Sequence, residues 1–161
     1  MKTTIIHLFF LFAIVICSAQ ENSQHIETTL KTEKNPGFEV VLSGIGIYSP
    51  EHEHWNSAIE THLTYWTTHK WAFGIGYSII FEDELEHEIA ALVSHKPYKF
   101  LTLNFGPSFS LPNEHNDTKV SAYLESEFAF HVGEIHFGPT VGVLAGDDFR
   151  IFGGLHISYE F

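Results

Sequence analysis

Three short stretches carry residue types that bind divalent cations through nitrogen and oxygen. Pro50-Glu51-His52-Glu53-His54 alternates carboxylate with imidazole, Glu82-Asp83-Glu84-Leu85-Glu86-His87-Glu88 sets one histidine among acids, and Asn113-Glu114-His115-Asn116-Asp117 repeats the theme. Imidazole combined with carboxylate suits zinc, nickel, cobalt or copper(II). The candidate nitrogen donors are His52, His54, His87 and His115, and the supporting oxygens come from Glu51, Glu53, Glu86, Glu114 and Asp117. His52 and His54 stand two apart, so they share a face only if that stretch is extended. The tight metalloprotease spacing His-Glu-x-x-His is absent from the sequence,. Acid in surface loops also serves simply to keep them solvated, and the composition leaves both readings open.

Other arrangements carry less. His156, Ser158 and Glu160 lie at i, i+2 and i+4, which puts imidazole, hydroxyl and carboxylate on one face of a strand,. A nucleophile also needs its base within hydrogen-bond reach and an oxyanion site, and spacing supplies neither. The Gly44-Ile45-Gly46 and Gly74-Ile75-Gly76 runs lack the third glycine and following helix of a phosphate loop, so close packing within strands accounts for them better,.

The composition restricts which elements can position these residues. The chain has 161 residues, 44% of them hydrophobic, with 15 Phe and a formal net charge of -12. One domain fits that length, and the aromatic content is too high for a disordered acidic tail. Eight Lys and Arg against 20 Asp and Glu exclude a nucleic-acid partner, because phosphate contacts need clustered bases,. Residues 1–19 read as a secretory signal peptide: Lys2, an apolar run from Ile5 to Ile16, then small Ser18 and Ala19,. A lipid anchor at Cys17 is disfavoured by bulky Ile16. Cleavage after Ala19 removes Cys17, the single cysteine, and with it thiolate metal sites and cysteine nucleophiles,. Polar residues 20–36 read as a mobile lead ending at Pro36,.

From 37 to 161 the hydrophobic period is two. Phe149, Ile151, Gly153, Leu155, Ile157, Tyr159 and Phe161 oppose Arg150, Phe152, Gly154, His156, Ser158 and Glu160, and segments 71–82 and 101–111 split the same way,. Noisier strands fall at about 37–49, 55–68, 87–95, 119–131 and 135–145. Eight long strands joined by short turns predict a closed up-and-down antiparallel β-barrel, since closure removes the hydrogen-bonding edges. Alternation alone does not say which face looks inward. A soluble barrel would line an apolar ligand cavity with the bulky face, whereas a transmembrane barrel would turn it to lipid. Small residues on the opposite face, such as Gly74, Gly76, Ser78, Thr102, Asn104, Ser108, Thr140 and Gly142, favour lipid outside, with Trp71, Tyr77, Phe81, Tyr159 and Phe161 forming interfacial girdles,. That phase turns Glu60, His62, Glu125, Glu127, His136, Arg150, His156 and Glu160 into the lumen, where Arg150 must find carboxylates.

The ending Tyr159-Glu160-Phe161 resembles the aromatic-x-Phe terminus of small outer-membrane β-barrel proteins of Gram-negative bacteria, and Ser18-Ala19-Gln20 is similar to Bacteroidota cleavage regions. The resemblance covers about 37–161. It implies Sec-type export to the outer membrane, lipid as a partner, contact with the barrel-assembly machinery through Tyr159 and Phe161, and a porin-like architecture too narrow for large solutes. It also implies that both barrel ends face the periplasm, so the first, third, fifth and seventh connections face outward. Those four connections, counting Asp147-Asp148 as the last, hold eleven of the 20 acids and four histidines. The expected protein is therefore non-enzymatic, a structural or divalent-cation-binding surface barrel. A soluble periplasmic barrel is the alternative. The lipid A deacylases that use a His-x-Ser pair with Glu resemble this chain only at His156, Ser158 and Glu160, and they continue with further barrel beyond the pair.

Overall fold

The computed structural model describes residues 37–82, 84–112 and 118–161. The signal peptide at 1–19, the lead at 20–36, and Asp83, Glu114, His115 and Asp117 lie outside the described residues. The strands are β1 Phe38–Ser49, β2 His54–Trp66, β3 Trp71–Phe81, β4 Leu85–Tyr98, β5 Leu101–Ser110, β6 Val120–Phe128, β7 Phe130–Val132, β8 Ile135–Gly146 and β9 Arg150–Glu160. All paired strands run antiparallel, β9 returns to β1, and both β6 and β7 pair with β8. The segments β6 and β7 are one stave interrupted at Ala129, which gives the expected closed barrel of eight staves. A methyl group on Gly138 would lie 1.8 Å from the Phe128 carbonyl oxygen, so this glycine admits the close strand approach beside the interruption,.

The fourth stave is longer than its alternation suggested. β4 pairs with β3 out to Phe81↔Leu85 and with β5 down to Tyr98↔Leu101, with a bulge between His95 and Tyr98. Glu86, expected in the loop alone, is therefore a strand residue, and His87 and Glu88, where the expected loop and strand overlap, belong to the strand. Charged side chains masked the period of two there, because a rim strand faces water on both sides.

The phase of the wall is decided by Phe105, Ile151 and Leu155, which are 38%, 40% and 69% exposed, while Phe152 is 2% exposed. The bulky aliphatic face is outside, contrary to what a soluble ligand barrel requires. Aromatic side chains crowd both ends of this wall. At the end holding Phe38 and Phe161, the Phe38 ring lies 5.0 Å from Tyr65 and 6.1 Å from Phe161, with exposed Trp71, Tyr98, Phe130 and Tyr159 alongside. At the opposite rim stand Trp55, Phe81, Phe109 and Phe149. The expected girdle residues Trp71, Tyr77, Phe81, Tyr159 and Phe161 all face outward.

Strand register divides the lumen into layers. Toward the rim, Ile45 pairs with Ala58 and Ala58 with Ile80, Ile47 lies opposite Phe152, and Tyr123 lies opposite Leu144. These residues with Leu92 and Ala90 form one packed apolar cluster. On the chain-end side of that plug the inward residues turn polar: Ser43 pairs with Glu60, Glu60 with Ser78, Asn104 with Glu125, and Glu127 with Thr140.

Candidate functional sites at the rim and in the lumen

Above the apolar plug the barrel opens into a vestibule of about 250 Å³, lined in part by His52, His54, Glu82, Glu86, Asp148 and Arg150. Two turns build it. Ser49 pairs with His54, leaving the four-residue connection Pro50 to Glu53, in which Glu53 takes a left-handed φ of 50°,. That tight turn folds Glu51 and His52 back toward the loop after β8, where one ligand atom each from Glu51, His52 and Asp148 come within 4.8 Å of one another. Asp148 Oδ1 is enclosed and has no hydrogen-bond partner.

Arg150 forms the floor. Its Nη2 donates to Glu88, its Nη1 lies 3.9 Å from Glu86, and its Nε lies 3.9 Å from Asp148. The expected carboxylate partners of Arg150 are thus present, and one of them, Glu88, was not foreseen inside. Asn56 Nδ2 donates to Glu82. Burial raises the Glu82 carboxyl above its ordinary range, and the negative charge of Glu86 adds to the shift,. The vestibule is a place where negative charge is crowded.

The proposed rim donors are only partly brought together. Glu51 and His52 converge with Asp148, an acid that the sequence reading placed in an outer loop without making it a donor. His54 and Glu86 line the same vestibule. His87 does not join them, because its odd position on β4 turns it to the outer wall, where Nδ1 sits 2.8 Å from the Tyr77 hydroxyl and the rings stack. Glu53 is exposed outside the converging group.

Below the plug lies a second carboxylate-imidazole group. His62 is 1% exposed; its Nε2 lies 3.2 Å from Glu60 Oε1, and its Nδ1 lies 3.5 Å from Glu127 Oε1 and 3.8 Å from Glu125 Oε2. Neutral donors hold the carboxylates. Ser78 Oγ donates to Glu60 at 2.9 Å and Tyr123 OH at 3.0 Å, Thr140 Oγ1 donates to Glu125 at 2.5 Å, and Asn104 Nδ2 reaches Glu125 at 2.9 Å and Glu127 at 2.8 Å. At the chain-end mouth, Trp66 Nε1 donates to Glu39 at 2.5 Å, His136 Nε2 meets Glu39 at 2.5 Å, and Lys96 Nζ lies 3.3 Å from Glu160 and over the Trp66 ring at 4.4 Å.

The inward set read from the sequence is largely reproduced. Glu39, like Glu88, is an unpredicted member, and its signal was available, since it stands four residues before Ser43 on the same face of β1. His156 and Ser158 also face the lumen. Ser158 Oγ donates to the His136 carbonyl at 3.4 Å, and neither His156 nitrogen has a hydrogen-bond partner, so the pair is not joined as nucleophile and base.

No known protein family and no curated protein matches this sequence. Among solved structures, the barrel is similar to the N-terminal β-barrel domain of Pseudomonas aeruginosa OprF, at a TM-score of 0.60 and 9% identity over 79% of this chain and 100% of that one. It is also similar to a chain from the de novo design of transmembrane β-barrels, at a TM-score of 0.53 and 16% identity over 81% of this chain and 100% of that one. At such identities the likeness concerns the fold. The class of architecture is the closed, eight-stranded antiparallel β-barrel.

Proposed function

We propose that this chain is a non-enzymatic outer-membrane barrel, closed to solutes, whose outward rim binds divalent cations. Its setting follows from the inverted partition of residues, with bulky apolar side chains outside, aromatics at both ends, and ion pairs and hydrogen-bonded carboxylates inside,. Closure follows from the lumen plug of Ile45, Ile47, Ile80, Leu92, Leu144 and Phe152, which packs apolar side chains between vestibule and mouth,. Tyr159 and Phe161 remain the residues for recognition by assembly machinery, exposed on the last strand while the Phe161 backbone pairs with Phe38.

The observation that carries the cation reading is the meeting of Glu51, His52 and Asp148, two of them adjacent and the third brought by another loop, with one Asp148 oxygen left without a hydrogen bond. One imidazole with two carboxylates suits zinc, nickel or cobalt. The test is calorimetric titration of the barrel, folded in the presence of a chelator and then freed of it, with zinc and with nickel. Wild type gives a saturable heat that includes a rim component, and the His52→Ala, Asp148→Asn variant loses that component. Equal heats from the two proteins would overturn the reading.

A further inference from the structure

The lumen group differs from an ordinary salt-bridge network in its cations. Glu60, Glu125 and Glu127 are 3%, 0% and 4% exposed, and the basic side chains of the lumen are engaged elsewhere: Arg150 lies beyond the apolar plug with Glu88, and Lys96 is held at the mouth by Glu160 and Trp66. Three carboxylates therefore share one imidazole. Buried charge of that density is costly unless matched by positive charge.

The imidazole is oriented as a metal ligand is. Glu60 and the Tyr123 hydroxyl, 3.2 and 3.3 Å away, occupy the Nε2 side of His62 and are themselves hydrogen-bonded to each other, so Nδ1 is the side open to a ligand,. Nδ1 then points at two carboxylate oxygens with no hydrogen bond to either. Its separations from them, 3.5 and 3.8 Å, are long for an N–H···O bond,. They approach the ligand-to-ligand edge of about 3.4 Å that a tetrahedral zinc ion with bonds near 2.1 Å imposes. Thr140 and Asn104 hold the two carboxylates in the way outer-shell donors hold ligating ones,.

We infer that the lumen holds one divalent transition-metal ion of the zinc class, bound by His62 Nδ1, Glu125 and Glu127, with Glu60 orienting the imidazole from behind. His156, buried with both ring nitrogens unpaired, enters from β9 opposite Gly138, one inward position nearer the mouth than the Glu127–Thr140 pair, and is the nearest further donor by register. The apolar plug isolates this ion from the rim, so it is acquired through the chain-end mouth or before the barrel closes. The site is independent of the rim reading.

The experiment uses the full chain carrying His52→Ala and Asp148→Asn, which silences the rim, refolded in detergent with zinc or cobalt(II) and then freed of loose metal over a chelating column. One ion per chain is retained, and the cobalt form shows the visible absorption of a tetrahedral nitrogen–oxygen site. Adding Glu127→Gln, which keeps the Asn104 hydrogen bond, lowers retained metal about tenfold or more, and His62→Gln does the same. Heat-modifiable migration reports folding of each variant, and if His62→Gln does not fold, Glu127→Gln decides alone. A folded, rim-silent barrel that retains no metal overturns the proposal, as does retention undiminished by Glu127→Gln. Either result leaves the rim titration of the unsubstituted protein to be judged by its own outcome.

Discussion

The barrel contains two groups of carboxylate and imidazole that are alike in composition and opposite in setting. At the rim, Glu51 and His52 are exposed and Asp148 half-buried, and water screens whatever charge they carry,. In the lumen, Glu60, His62, Glu125 and Glu127 are sealed between the apolar plug and the mouth. The first group can lose a member at little structural cost. The second cannot, because three buried carboxylates there share one imidazole,. Like residue types thus stand in water in one place and out of it in the other.

The sharpest way to break the comparison is to remove the histidine from each group. His62→Ala leaves three buried carboxylates without their imidazole and is expected to destabilise the barrel by about 3–5 kcal/mol, measured by urea unfolding in lipid vesicles. His52→Ala is expected to shift the same midpoint by no more than about 0.5 kcal/mol. If both variants unfold alike, the distinction between the groups fails.

A second comparison sets the wall against the lumen. Leu155→Arg places a charge on the outer belt, and a loss of about 2–4 kcal/mol in a bilayer is expected if that position lies near the midplane,. In a wall that faced water, the same substitution would be neutral. Gly138→Ala comes next. Its added methyl must displace the Phe128 carbonyl, and about 1–3 kcal/mol of overpacking cost is expected by the same unfolding measurement,. The smallest stability effect belongs to Asp148→Asn, within about 0.5 kcal/mol, yet this variant should abolish the rim's zinc heat. Unchanged heat would separate Asp148 from the rim site.

Much of the lumen was legible because period-two alternation ties every residue of a strand to one face. Once Gly74, Gly76 and Ser78 were placed inside, His62 and Glu125 followed by the same rule on their own strands. Glu88 escaped because it fell where an acidic connection and the expected strand 87–95 overlapped, and only pairing with β3 shows that β4 begins at Leu85. His87 stood at the same overlap and was grouped with the rim donors, whereas its strand position turns it to the outer wall.

Alternation, strand length and the small inward residues therefore determined the barrel, its number of staves and the identity of most buried charges, all of which are local consequences of the pleat. The order of those charges along the axis was decided only by tertiary structure. Height in a barrel depends on the stagger between neighbouring strands, and register is a property of pairs that no single segment encodes. Register stacked Ile45, Ala58, Ile80, Leu144 and Phe152 into a plug, gathered His62 with Glu125 and Glu127 on one side of it, and left Arg150 with Glu88 on the other. The turn from Pro50 to Glu53, with its left-handed residue, likewise decided that His52 meets Asp148.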